Sequence, residues 1–209
     1  EKNGARVIRE KVTLEASGEE VRVRLGDEVQ AFDAVVLSSG AWVKELIEPL
    51  GYYVDVRPQK GQLIELTLET TEDTSKWPVC MLHGEIDILP FPDGKILVGA
   101  THENTQGFDL VPDEELLNGM YEEACASLPS LKNAKRSGVR VGTRAYTSDF
   151  LPFFGEVPNT TNAFVASGLG SSGLTSGVWI GELLARMAAG EEVGFSVEKY
   201  TPQNYVRKV

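Results

Sequence analysis

The segment at 168–173 reads Gly-Leu-Gly-Ser-Ser-Gly, a literal G-x-G-x-x-G. It lies between the apolar run AFVAS and the helix-like stretch LTSGVWIGELLARMAAG. A loop of this composition leaves backbone N–H groups exposed at the start of a helix, where they stabilise negative charge. Pyrophosphate is one such anion, and the electron-rich edge of a reduced flavin is another, where donors stabilise charge that develops during hydride transfer. A dinucleotide fingerprint also needs a second parallel strand and an acidic residue about 20 positions on. Glu191 and Glu192 stand at that distance, but they follow Gly190, which ends the helix, and 17 residues then remain. That leaves no room for a nucleotide-binding half, so the pattern is either an anion-stabilising loop or a tight strand-to-helix turn without a ligand.

Other chemistries find less support. Cys80 and Cys125 form no C-x-x-C and have no nearby histidine pair, so both are expected as buried thiols and neither a disulfide framework nor a zinc site is indicated. With only His83 and His102 present, no metal centre is expected. No Ser–His–Asp set or paired-carboxylate site is evident. The net charge of −11 repels phosphate backbones and anionic lipid, which argues against a nucleic-acid or membrane-surface partner. No apolar run approaches the roughly 20 residues of a membrane span and no signal peptide is seen, so a cytoplasmic protein is expected. The start at Glu1, running directly into strand-like sequence, suggests a fragment.

The elements that must position these residues follow from periodicity. Residues 5–37 alternate as β-structure, ending in DAVVLSS, which reads as a strand buried on both faces. Gly40 then opens a helix on which Trp42, Val43, Leu46, Ile47 and Leu50 share a face, with Gly51 at its end. VDVRPQKGQLIELTLE is β again, and its Pro and Gly suggest a bend or an edge. PVCMLHGEIDILPF and KILVGATHE form an antiparallel hairpin through Pro-Asp-Gly. DEELLNGMYEEACASL is a helix capped by Asp113, with Leu116, Leu117, Met120, Tyr121 and Ala124 on one face. SGVRVGTRAYTS is a strand with a possible bulge at Gly142, and FLPFFGEVPN an irregular loop. In the last helix Gly173, Gly177 and Gly181 recur every four residues and give a flat face for close approach. The expected class is α+β: an antiparallel-sheet domain, 58–154, inserted in an incomplete α/β domain made of 1–57 and 155–209.

In this order the residues resemble FAD-dependent oxidoreductases of the D-amino-acid oxidase and glycine oxidase type. VVLSSGAW looks like the family's strand and helix beside the cofactor, and VRPQKGQ like its Arg-Pro-x-x-Gly-Gln segment. DILPFPDGKILVGATHE looks like its hairpin, VGTRAYTSDFLPFFG like the strand and loop ending in x-Leu-Pro-x-x-Gly, and SGLGSSGLTSG like its C-terminal flavin loop. The family begins with a strand, a G-x-G-x-x-G turn and a helix holding the FAD pyrophosphate, and nothing before Gly4 can supply them. The resemblance therefore implies a partial FAD-binding domain at 1–57 and 155–209, a substrate domain at 58–154, and weak or absent FAD binding by this chain alone.

Site residues carry over from the same resemblance. Arg144 would fork onto the substrate carboxylate, a geometry that suits guanidinium; the alternative is an ion pair with Asp149 or another acid. Tyr146, two residues on, points to the same strand face and would contact substrate, as would His83; a satisfied core or surface histidine is the other reading of His83. Val12, Ser39, Gly40 and Trp42 resemble positions on the adenosine side of FAD, although Trp42 equally suits a helix-core anchor. Gly61 and Gln62 resemble the loop by the isoalloxazine. Gly168, Leu169, Gly170, Ser171, Ser172, Gly173, Leu174 and Thr175 would flank its pyrimidine edge. No cysteine stands where sarcosine-oxidase-like relatives attach the flavin, which implies non-covalent FAD. Leu174-Thr175 depart from the Lys of those relatives, and Ser171 from an Arg of glycine oxidase.

The implied reaction is hydride transfer from the amine-bearing carbon of glycine, sarcosine or a D-amino acid to FAD, with dioxygen or another acceptor taking up the electrons. Two alternatives stay open. The oxidase module of tRNA wobble-uridine modification carries similar ThrArg…AspPheLeuPro and GlyLeuGlySerSerGlyLeuThr segments, and a non-catalytic binding module could keep the fold.

Overall fold

The computed structural model describes residues 4–82, 84, 86–194 and 196–209. In chain order its strands are β1 (Val12–Ser17), β2 (Glu20–Leu25), β3 (Glu28–Gln30), β4 (Val35–Leu37), β5 (Tyr52–Val54), β6 (Arg57–Thr67), β7 (Cys80–Met81), β8 (Asp87–Pro90), β9 (Lys95–Gly99), β10 (Lys135–Tyr146), β11 (Phe153–Glu156), β12 (Ala163–Ser167) and β13 (Val206–Lys208). The α-helices are α1 (Val43–Ile47), α2 (Glu114–Ser127) and α3 (Gly173–Ala188). The chain forms two compact units, residues 1–57 with 145–209 and residues 58–144. The mixture of separate sheets and a few helices is an α+β fold.

In the first unit β1, β2 and β3 form an antiparallel meander, and β13 pairs antiparallel with β5. A third sheet runs β11-β12-β4, with β12 antiparallel to β11 and parallel to β4. All five residues of β12 are buried because both of its faces are covered. Val165 joins a core with Val35, Leu37, Val43 and Ile47, while Phe164 and Ala166 pack with Ile180, Leu183 and Leu184 of α3. β4 does not match the expected two-sided burial: Val36 is 45% exposed. Its inward neighbours Val35 and Leu37 reach the α1 side, and alternation turns Val36 to the other face. Asn162 ties the meander to this sheet: its Oδ1 accepts from the Val21 N–H at 2.8 Å and its Nδ2 donates to the Val21 and Phe32 carbonyls at 3.0 and 3.1 Å.

The expected helix after Gly40 is broken into a 3-10 turn (Gly40–Trp42), α1 and a second 3-10 turn (Glu48–Leu50). Pro49 explains the second break, because its ring clashes with a continuing α-helix. Trp42 stands 43% exposed at the start, so it is not the core anchor; Val43 and Ile47 are. FLPFFGEVPN is not an irregular loop throughout, since Phe153–Glu156 is recruited as β11 by β12. Residues 5–11 of the expected first strand are not strand.

The second unit is a five-stranded sheet ordered β10-β6-β9-β8-β7, with α2 packed on one face. β6 is an interior strand rather than the edge its Pro and Gly suggested: Pro58 sits at its start, where a missing N–H is tolerated. Burial alternates along it, with Gln62, Ile64 and Leu66 turned to the α2 core and Gly61, Leu63 and Glu65 to the opposite, more open face. The β8–β9 hairpin turns through Asp93 and Gly94, both at positive φ, 60° and 71°, as a tight twisted turn requires. α2 begins at Asp113, whose Oδ1 accepts from the Glu115 and Leu116 N–H groups at 3.0 and 3.2 Å. Leu117, Met120 and Ala124 face the sheet, while Leu116 stays exposed. Cys125 is buried in this core, but Cys80 on the short β7 is only half-buried.

Candidate functional site

In the second unit Arg144 lies on the open face of the sheet. Its Nη1 donates to the Thr101 carbonyl at 2.9 Å and more weakly to Gln59 Oε1 at 3.5 Å. Its guanidinium lies against Gly61: a Cβ built there would sit 2.7 Å from Cζ and 2.8 Å from Nη2. Gly61 therefore makes the room in which Arg144 rests. Among the described residues no acid pairs with Arg144, and Asp149 is engaged by Thr147, Leu151 and Tyr205 instead. Arg144 and Gly61 border a cavity of about 350 Å³ with Leu63, Ala100, Arg140 and Gly142. A held, half-buried guanidinium with a free edge toward a cavity is suited to a carboxylate.

The support beneath it went unseen in the sequence. Gln62, next to Gly61, points the opposite way and is fully buried. Its amide donates to Glu103 Oε1 at 2.7 Å and accepts from the Asp113 N–H at 2.8 Å, so it ties β6 to the start of α2. Thr101 Oγ1 donates to the same Glu103 oxygen at 2.6 Å and accepts from the Gln62 N–H at 2.9 Å. Buried Lys60 approaches Asp109 at 3.2 Å and Glu103 at 3.9 Å. The Val111 N–H first, and then Lys60, hold the Asp109 carboxyl below its usual range. The network fixes the segment whose Thr101 carbonyl holds Arg144. Only the adjacency of polar residues to Gly61 hinted at it. His83 lies outside the described residues.

In the first unit the glycine loop takes the expected strand–loop–helix form. A 3-10 turn (Gly170–Ser172) leads into α3, and no side chain caps the start of that helix. Helix starts of this kind leave N–H groups without intrahelical partners. Gly168 is at φ +74°, and a Cβ there would meet Thr147 Cγ2 at 2.8 Å and the Leu151 carbonyl at 3.1 Å. Gly170 is at φ +52°, with the Tyr146 ring 2.8 Å from where its Cβ would be. Tyr146 thus packs on the loop itself, with Phe150 edge-on to its ring at 5.3 Å. Ser171, Ser172, Leu174 and Thr175 are exposed, and Leu169 packs near Gly173 and Gly177.

Ser167, the last residue of β12, donates from Oγ to the Gly40 carbonyl at 2.8 Å, joining the two strand ends. Beside it Ser39 Oγ is buried without a hydrogen-bond partner among the described residues. An orphaned hydroxyl and an uncapped helix start are polar groups that a bound cofactor can satisfy, so the residues present fit a flavin nucleotide. Val12 pairs with Leu25 across the meander, and no described contact links it to Ser39 or Gly40.

The wall behind Gly168 is held by Asp149. Its Oδ1 accepts from Thr147 Oγ1 and the Leu151 N–H at 3.0 and 3.1 Å, and its Oδ2 accepts from the Tyr205 hydroxyl at 2.9 Å. Partial burial raises the Asp149 pKa, but the Leu151, Tyr205 and Thr147 bonds outweigh it and leave the carboxyl below its usual range. Burial, then the bond to Asp149 and the nearby acidic charges, push Tyr205 up to about 12. Among the described residues no cluster of three or more acidic, histidine or cysteine side chains could hold a metal, and no helix is long and apolar enough to cross a membrane.

The family model described as DAO, FAD dependent oxidoreductase, matches residues 1–187. An uncharacterised oxidoreductase of Bacillus subtilis, YurR, is 38% identical over 206 residues, covering 97% of this chain and 55% of that protein. Glycine oxidase of Pseudomonas putida is 30% identical over 190 residues, covering 91% of this chain and 51% of that protein. The crystal structure of iminodiacetate oxidase from Chelativorans sp. BNC1 superposes with a TM-score of 0.90 at 32% identity, covering 96% of this chain and 55% of that one. The chain thus spans about half the length of the relatives it matches. With its strand–glycine–helix loop and its match over 187 residues, this chain belongs to the DAO family of FAD-dependent oxidoreductases.

Proposed function

We propose that this chain contributes to a flavoenzyme that oxidises the C–N bond of a small amino acid or secondary amine of the glycine, sarcosine or D-amino-acid type. The observation that carries the reading is Arg144: a guanidinium fixed by the Thr101 carbonyl, laid over Gly61 and bordering a cavity. Its Nη2 and Nε have no partner among the described residues, which leaves an edge for a carboxylate oxygen pair. Binding the carboxylate there orients the amine-bearing carbon, and positioning of this kind is a large part of what a protein adds to cofactor chemistry.

Non-covalent FAD, when bound, supplies the two-electron acceptor. Residues 1–57 with 145–209 are its proposed binding unit, with 58–144 the substrate unit. Ser39 Oγ, the Gly40 turn and the N–H groups of Gly170, Ser171 and Gly173 are the groups that would hold it, with Tyr146 pinning Gly170. The hydroxyls of Thr175 and Ser176 both donate to the Ser172 carbonyl and keep this turn compact. The imine product needs only water for hydrolysis, and dioxygen is the proposed final electron acceptor. A C–N substrate also agrees with the relatives whose names state glycine or iminodiacetate oxidation.

The test is amine-dependent oxygen uptake by the flavin-loaded protein with glycine, sarcosine and D-amino acids. Losing a hydrogen-bonded charge pair costs about 1.5–3 kcal/mol, so Arg144→Leu should raise KM roughly 10- to 100-fold. An unchanged KM would remove the carboxylate role.

A further inference from the structure

The pairing of β6 changes register beside Arg144. With Leu63 opposite Gly99 and Thr67 opposite Lys95, β6 and β9 pair residue for residue. Past the end of β9 the pairing resumes with Lys60 opposite Glu103, and these two exchange backbone hydrogen bonds at 3.0 and 2.9 Å. Gly61 and Gln62 therefore stand against Ala100, Thr101 and His102, two residues against three. An extra residue in one strand is a β-bulge, a feature that re-aims groups beside a site.

Gln62 and Thr101 stand where an antiparallel pair exchanges two backbone bonds. One is made: the Thr101 N–H donates to the Gln62 carbonyl at 3.1 Å. The other is diverted, because the Gln62 N–H donates to Thr101 Oγ1 at 2.9 Å in place of the Thr101 carbonyl. A hydroxyl has one proton, and this one goes to Glu103 Oε1 at 2.6 Å, which leaves a lone pair for the N–H. Gln62 Nε2, 2.7 Å from the same oxygen, and Lys60, 3.9 Å from Oε2, hold that carboxylate in place. The Thr101 carbonyl, released from the ladder, accepts from Arg144 Nη1 at 2.9 Å.

We propose that Thr101 is a positioning residue: its hydroxyl replaces its own carbonyl in the sheet, and so frees that carbonyl to fix the Arg144 guanidinium. This rests on Arg144 holding the substrate carboxylate. Gln62 is fully buried, and a buried N–H left without an acceptor is costly. Without the hydroxyl, the Thr101 carbonyl is the ladder group able to take that N–H. Turning it to the ladder would leave Arg144 Nη1 with only the 3.5 Å contact to Gln59 Oε1. Sheet and anchor thus compete for one oxygen, and the hydroxyl decides the competition without touching substrate.

The test pairs amide hydrogen exchange with calorimetric titration of the whole chain by sarcosine. Thr101→Val keeps the side-chain shape and removes the hydroxyl. It should weaken sarcosine about tenfold, the effect of one hydrogen bond to a charged group, while the Gln62 amide stays protected because the carbonyl has returned to it. Thr101→Ser should bind as the wild type does. In an Arg144→Leu background Thr101→Val should cost nothing further, since it acts through the guanidinium. Unchanged affinity in Thr101→Val, Thr101→Ser as weak as Thr101→Val, or an equal loss in the Arg144→Leu background overturns the proposal and leaves the Arg144 reading intact. A Gln62 amide that exchanges freely in Thr101→Val also overturns it, since the hydroxyl then serves only the stability of the sheet. A wild-type chain that does not bind sarcosine, or Arg144→Leu without effect, overturns the Arg144 reading and this one with it.

Discussion

The two units use glycine for opposite reasons. In the second unit Gly61 is an ordinary strand residue whose missing side chain makes space for the Arg144 guanidinium. In the first unit Gly168 and Gly170 sit at positive φ and are pressed against Thr147, the Leu151 carbonyl and the Tyr146 ring. One glycine serves a side chain and the others shape backbone. The difference teaches that the cost of adding a methyl group depends on what it meets: the end of a flexible chain yields, whereas backbone at a strained dihedral does not.

The largest expected effect lies in the first unit. Gly168→Ala combines a left-handed conformation with a clash against the buried Thr147 Cγ2 and a tight approach to the Leu151 carbonyl, and should destabilise the protein by about 3 kcal/mol. Urea unfolding measures it; a loss below about 1 kcal/mol would show that the loop relaxes and that the contrast with Gly61 is false.

Gly61→Ala should act the other way. Its methyl group displaces only the Arg144 guanidinium, so stability should change by less than about 1 kcal/mol while KM for amino-acid substrates rises roughly tenfold, with kcat less affected. A variant that unfolds, or one that leaves KM untouched, would end the reading of Gly61 as a seat for Arg144.

The smallest effect concerns the wall behind the glycine loop. The Tyr205 pKa is raised in the folded state from its ordinary value of 10.0 to about 12. Its contribution is fully present below about pH 10 and is lost as pH rises toward about 12. Asp149 is shifted the opposite way, so its contribution is present at neutral pH and fades as pH falls below the ordinary value of 3.8. Tyr205→Phe should flatten the alkaline limb of the stability profile and leave the acid limb with a smaller loss. Thermal unfolding between pH 9 and 12 shows whether it does; an unaltered alkaline limb would detach Tyr205 from the loop.

Much of this was legible in order of local signal strength. Pro-Asp-Gly announced the hairpin because its turn needs positive φ at the two positions where Asp93 and Gly94 supply it. Asp113 announced α2 because a helix start needs an acceptor there. The glycine loop between an apolar strand and a helix was likewise local, and the order of such segments sufficed for the family. Phe153–Glu156 was not legible, because only pairing with β12 makes it a strand. Nor was the exposure of Val36 and Trp42, since apolar character alone does not say which face finds a partner.

By itself the sequence determined the elements that carry a local signal, the Pro-Asp-Gly hairpin, the Asp113-capped helix and the strand–glycine–helix loop, because caps, turns and alternation act within a few residues. Only the tertiary structure decided which way adjacent residues of β6 serve the site. Gly61 and Gln62 are neighbours in the chain, yet a strand turns successive side chains to opposite faces. The sheet therefore sets one beneath Arg144 and sends the other into the core to hold Glu103 and the start of α2. That division depends on where β10 and α2 pack, and those contacts join residues scores of positions apart.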